Sequence, residues 1–475
     1  MKLKDIDVSQ VIKNAKSLLS EEKTISPALK SVIEILIMII AILSERFNLN
    51  SSNSSKPPAD DKNRKRGSKK KPSDRKPGGQ NGHEGNRLEK VDEPDEVEFI
   101  KIDKRTLPRG RKYRDIGYES RQVIDIRISR VITEYRAQIL SDIYGNQYVA
   151  PFPENVSRDI QYGAGVKSHA VYMSQFQLLP YNRIQDYFRD QMDIPLSCGS
   201  LFNFNEEAFN LLECFDDIAK KNLINTAVLH SDETGINVDK KKFWLHTASS
   251  NLWTYFYPHE KRGHVAMNDM GILPHFTGTL CHDHWKSYYA YKCRHALCNA
   301  HHLRELEYAF EHDNQPWAQE MSLLLVEIKE ALEKTNGKLK PNAIDNYRAR
   351  YRSIILTGDI HCPLPDKPKT GRLKKSKSRN LLERLRDHED EVLRFVEDPL
   401  VPFTNNQSEN DLRMTKVQQK ISGCFRSMDG ALIFCRLRSY LSTCRKHEVS
   451  ATDALDLLFQ GKFPEFMNEL YSHSI

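Results

Sequence analysis

The chain has no cysteine before Cys198, although nine are present in all. A cysteine-ligated metal module is therefore excluded from everything upstream of that position. Long apolar runs are missing too. The stretch from Val32 to Leu43 is twelve residues and contains Glu34, against the roughly 20 needed to cross a bilayer. Outside one segment there is no excess of either charge. The formal net charge is +7, and residues 51–76 hold ten Lys or Arg against Asp60, Asp61 and Asp74, so that segment accounts for the whole excess. Thiols without a secretory leader predict a reducing, cytoplasmic setting and no membrane. At 475 residues, with 39% hydrophobic and 28% charged content, the expectation is a soluble chain of about three domains.

Residues 1–50 are expected to be helical. From Ser26-Pro27, a cap and first turn, Leu29, Ile33, Leu36, Ile40, Leu43 and Phe47 alternate spacings of four and three. That is a short heptad seam, which predicts a parallel homodimer or a larger assembly. Residues 51–88 break the pattern. Lys62, Arg64, Lys65, Arg66, Lys69, Lys70 and Lys71 crowd a Ser- and Pro-rich stretch that lacks the apolar residues to order itself. Such a segment reads as a flexible basic arm that neutralises nucleic-acid phosphates. The glycine-rich turn from Gly78 to Gly85 follows.

Residues 89–160 carry alternating runs at 97–100, 122–128 and 131–136, read as strands of a small β-rich module. Residues 161–224 read as helical, with Ser197 or Ser200 as a cap. An αβ region spans residues 225–302, a helical insertion residues 303–400, and further helices residues 401–475. The fold class expected is multidomain α+β and α/β, with one mixed sheet interrupted by the helical insertion.

The acids give this layout its chemistry. Ala227-Val228-Leu229 runs into His230-Ser231-Asp232-Glu233-Thr234, which predicts a buried strand ending at Asp232. Phe243 to His246 and Thr254 to Tyr257 follow as strands. Leu280-Cys281-His282 then runs into Asp283, and Glu409 sits at a helix start within Asn405 to Arg413. Two strand acids and one helix acid in this order match ribonuclease H-like nucleases. Such a set suits two Mg2+ ions about 4 Å apart, with Mn2+ as an alternative, for phosphoryl transfer. Glu233, next to Asp232, is expected to face the other way. Cys293, His295, Cys298, His301 and His302 form a rival zinc-ligand spacing.

These motifs together resemble transposases of the insertion sequence 66 family, within the Asp-Asp-Glu superfamily, roughly from Ser51 to Phe466. The likeness is carried by the basic lead-in, Gly78 to Gly85, Tyr162-Gly163, His230 to Thr234, Cys281 to Asp283, Cys298 to His301 and Asn405 to Arg413. The resemblance implies that Asp232, Asp283 and Glu409 are both the catalytic triad and the metal ligands. It also implies that the substrates are the DNA ends of an insertion sequence and a target DNA, in a bacterial cytoplasm at the nucleoid, with accessory proteins of the same element as possible partners. Arg413, Lys416, Lys420 and Arg426, which follow Glu409, become candidate DNA contacts alongside the basic arm. The family's cysteine-rich zinc module has no counterpart here, since residues 86–160 hold no cysteine. Two alternatives are a DNA-binding protein without catalysis and a metal-dependent hydrolase built on the His-rich stretch from His282 to His302.

Overall fold

The computed structural model describes residues 2–3, 6–21, 25–48, 88–365 and 375–471. The basic arm from Lys62 to Lys71 lies outside them. Among the described residues no helix is long and apolar enough to cross a membrane.

A mixed five-stranded sheet organises the chain. Its strands lie in the order Thr254–His259, Lys241–Ser249, Val228–Val238, Thr279–His282, Arg294–Leu297. The first three form an antiparallel meander, and the last two run parallel to Val228–Val238. Between Val238 and Lys241 only two residues turn the chain, Asp239 at φ 46° and Lys240 at φ 62°. Positive φ at both central positions is the twist that matches a two-residue hairpin to its strands. The Val228–Val238 strand therefore does not stop at Asp232 as expected; it continues for six more residues. Ile236 and Val238 are buried in an apolar cluster with Leu412 and Phe425, and this burial carries the strand past the acids.

Both faces of the sheet are covered, because successive strand residues face opposite sides. Leu229 and Leu280 pack with the helices of residues 164–224 and with the helices Met428–Lys446 and Ala451–Phe459. Val228 and Cys281 pack on the other side with Asn299–Asp313, Pro316–Lys334, Pro341–His361 and Lys377–Asp387. The expected cap at Ser197 is present, its side chain accepting from the Ser200 amide at 2.9 Å.

Residues 88–160 differ from expectation. The runs at 97–100, 122–128 and 131–136 form no strands; this stretch holds one antiparallel pair, Ile139–Ser141 with Gln147–Val149, and a short 3-10 turn. Val97, Ile100, Val123 and Ile126 are all at least 74% exposed. Alternation alone makes no strand without a partner ladder and a face to bury. At the N-terminus, helix Pro27–Asn48 packs on helix Val8–Glu21. Within the heptad seam Ile33 is half-buried, whereas Leu29, Leu36, Ile40 and Leu43 are exposed; the side chain of Phe47 lies outside the described residues.

Candidate functional site: an acidic cluster beside a Cys-His-Glu cluster

Register explains why two distant acids meet. Val228–Val238 and Thr279–His282 pair in parallel with His230 opposite Cys281, so two residues further on Asp232 and Asp283 fall at the same level. Asp283 follows the last strand residue, and His284 after it takes φ 70°. A non-glycine residue in the left-handed region is uncommon and turns the chain sharply. The Trp285 amide donates to Asp283 Oδ1 at 2.9 Å and the Glu233 amide donates to Asp232 Oδ1 at 2.8 Å.

Glu233 does not leave this group. It offers an oxygen that lies with oxygens of Asp232 and Asp283 within 4.8 Å of one another. Its carboxylate is buried and pinned: Arg262 donates twice to Oε1, at 2.9 and 2.6 Å, and the Tyr288 hydroxyl donates to Oε2 at 2.7 Å. Arg262 in turn lies over the rings of Trp244 and Trp285, at 4.8 and 4.3 Å. Strand alternation gave no signal for this. Burial, and then the charges of Glu233 and Asp283, push the Asp232 carboxyl well above the usual carboxylate range, with Glu409 adding to the effect. Burial also raises Glu233, against the opposing pull of Tyr288 and Arg262. Ionised carboxylates this close are stabilised by a cation, and an all-oxygen donor set suits Mg2+ or Mn2+. The residues present fit such an ion.

Glu409 approaches on helix Asn406–Ser422. The capping residue of that helix, Asn405, makes no side-chain cap because the side chain is used elsewhere: it bonds His230 Nδ1 at 2.8 Å and donates to the Ser231 carbonyl at 2.9 Å. Its amide donates to Cys298 Sγ at 3.1 Å. The helix start is thereby tied to the strand of Asp232. Two residues beyond Glu409, Asp411 accepts from Lys446 Nζ at 2.9 Å, while the same ammonium reaches Ser249, Thr254 and two backbone carbonyls. Sequence reasoning missed both locks, since neither Asn405 nor Asp411 stands in a recognisable spacing with its partner. Glu409 Oε1 itself lies 3.9 Å from Cys298 Sγ and 3.9 Å from His301 Nδ1.

The predicted zinc spacing does not come together. His295 pairs with His282 at 3.0 Å, His302 with Asn299 at 3.0 Å, and Cys293 packs against an apolar cluster. Of those five residues, Cys298 and His301 form a ligand group among the described residues, and they do so with Glu409. Among the candidate DNA contacts, Arg413, Lys416 and Lys420 lie exposed on the Glu409 helix, and Arg426 is exposed beyond its end. Lys416 Nζ donates to the Gly235 carbonyl at 3.0 Å, next to the acid-bearing strand. Arg379, in helix Lys377–Asp387, is 4% exposed and ion-paired with Asp359 and Glu383; it is a structural cation.

The fold and the site define a mixed α/β protein whose acids gather where two parallel strands reach the same level, while the helix acid Glu409 groups with Cys298 and His301. The family model described as Transposase IS66 family matches residues 159–432, more than half of the chain, and the chain belongs to that family. A model described as a family of unknown function (DUF6444) matches residues 6–89. The chain is also similar to Uncharacterized protein y4jO of Sinorhizobium fredii (strain NBRC 101917 / NGR234). They are 41% identical over 66 residues, which is 14% of this chain and about a fifth (21%) of that relative's length.

Proposed function

We propose that the chain is a DNA transposase that cleaves the ends of an insertion sequence and joins the freed 3′-hydroxyl to target DNA, on a ribonuclease H-like core. The observation that carries this reading is the level pairing of Asp232 with Asp283, with Glu409 on an adjoining helix, in a chain of the IS66 transposase family. Asp232, Asp283 and Glu409 would hold the divalent cations. Those ions, when bound, supply charge stabilisation at the phosphoryl oxygens and a more acidic attacking water.

The chain's own residues prepare the reaction. Glu233, held by Arg262 and Tyr288, braces the acid-bearing strand against the loop that follows Asp283. The Asn405 and Asp411–Lys446 locks fix where Glu409 stands. Arg413, Lys416 and Lys420 would draw the DNA backbone toward the acids, with the arm from Lys62 to Lys71 adding sequence-tolerant affinity. In the first step water attacks the phosphodiester, the P–O3′ bond breaks, and the element's 3′-oxygen leaves as a hydroxyl. In the second, that hydroxyl attacks a target phosphodiester and displaces the target's 3′-oxygen, giving up its proton to solvent while the leaving 3′-oxygen takes one up. Each step exchanges one P–O bond for another and needs charge stabilisation rather than a covalent enzyme intermediate.

Self-association through the exposed face of helix Pro27–Asn48 would bring two DNA ends together. The test is incubation of the full chain with DNA from the element's own ends, in Mg2+ and in EDTA. Site-specific nicks yielding a 3′-hydroxyl in Mg2+ alone support the reading; metal-independent nicking, or none, removes it.

A further inference from the structure

We propose that Cys298, His301 and Glu409 form a second metal site, distinct in chemistry from the all-oxygen group of Asp232, Glu233 and Asp283, that takes a thiophilic divalent cation of the zinc type. The ligand atoms of the three residues lie within 4.8 Å of one another. Glu409 Oε1 stands 3.9 Å from both the sulfur and the imidazole nitrogen. Tetrahedral zinc with its usual bond lengths needs neighbouring donors about 3.3–3.6 Å apart, so Glu409 Oε1 must move about half an ångström closer to both the sulfur and the imidazole nitrogen. The backbone already holds two of the ligands. Cys298 caps the start of helix Asn299–Asp313 and His301 sits in its first turn.

His301 Nδ1 gives an independent indication. It is buried and makes no hydrogen bond, and a buried polar atom left unpaired carries a desolvation cost that a ligand would relieve. The side chains of His301 and Glu409 remain 24% and 30% exposed, which leaves an approach for the ion. Cys298 is buried at 3% exposure, and burial pushes its thiol up to about 11. Binding must therefore expel the thiol proton to solvent as the thiolate–metal bond forms. Three protein ligands leave the fourth position to water, the pattern of an open rather than a closed structural site. Mg2+ has little use for sulfur or imidazole, so the two clusters sort ions by softness. An ion here would also engage Glu409. If Glu409 serves the acidic pair as proposed above, zinc should oppose Mg2+-dependent cleavage; the binding itself does not depend on that reading.

The test is a Cd2+ titration of the full chain, followed by the ultraviolet thiolate-to-cadmium charge-transfer band. Cys298→Ser, His301→Gln, Glu409→Gln and Asp232→Asn are run beside it, each first shown to melt cooperatively. The expected result is one equivalent of Cd2+, the band lost in Cys298→Ser, and binding weakened by more than about tenfold in His301→Gln and in Glu409→Gln. Asp232→Asn should keep the band, so a failure of the acidic site and a failure of this one are read separately. A band that survives Cys298→Ser, or one indifferent to both His301→Gln and Glu409→Gln, overturns the proposal.

Discussion

Removing the Asp232 charge should stabilise the metal-free protein. Asp232, Glu233 and Asp283 offer oxygens within 4.8 Å of one another, and at an effective dielectric of about 20 two unit charges at that distance repel by about 3.5 kcal/mol. Arg262 on Glu233 and Lys416 beside the strand offset part of this. The net gain for Asp232→Asn is about 1–3 kcal/mol, or a rise of several degrees at about 2–4 °C per kcal/mol. The sign follows from linkage. Asp232 has its carboxyl raised in the folded chain, so ionising it costs stability as pH climbs out of the ordinary carboxylate range; below that range both side chains are neutral and the advantage disappears. The assay is thermal melting at neutral pH in EDTA and again in Mg2+. Wild type should melt below Asp232→Asn in EDTA and gain from Mg2+ by mass action, whereas the variant should gain little. A variant that melts at or below wild type in EDTA would refute the idea that the acids are held against their own repulsion.

Lys446→Met should cost about 3 kcal/mol, because it leaves Asp411, at 11% side-chain exposure, charged and without its counter-ion, with the hydroxyls of Ser249, Thr254 and Ser442 still donating to it; a chemical-denaturation midpoint checks it, and adding Asp411→Asn should recover part of the loss. Replacing six cations between Lys62 and Lys76 with Ser should flatten the slope of log DNA affinity against log salt by up to about 5, at about 0.9 per phosphate contact; an unchanged slope would make the arm a linker only. Charged substitutions at Leu36 and Ile40, 52% and 48% exposed, should lower the mass seen by light scattering; an unchanged mass would leave that face without a role in assembly.

Much of this layout was legible because it rests on local patterns. Apolar runs that end in Asp232 and Asp283 marked two strands, and the order of elements marked which acids could meet. Tertiary packing decided the rest. Asp232 looked like a strand exit because an acid interrupts the apolar run. Ile236 and Val238, buried against Leu412 and Phe425, instead keep the strand going. Glu233 alternates with Asp232 along the strand, yet an oxygen of its longer side chain, held by Arg262 and Tyr288, still lies within 4.8 Å of oxygens of Asp232 and Asp283, and no spacing rule links it to those partners. The runs at 122–128 and 131–136 show the opposite failure: their pattern is strand-like, yet residues such as Val131 and Ile132, at 86% and 80% exposed, find no sheet to join. The Cys-x-x-His spacing was visible, but its third ligand, Glu409, comes from 111 residues beyond Cys298, and only the fold brings it there.

The central claim is that Asp232, Asp283 and Glu409 act together on DNA. The most direct test compares Asp232→Asn, Asp283→Asn and Glu409→Gln with wild type, each measured for binding to end DNA and for Mg2+-dependent nicking of it. Each change preserves shape and removes one negative charge, so DNA affinity should hold or rise slightly while nicking falls to background in all three. Full-rate nicking by any one of them would remove that residue from the site and contradict the account.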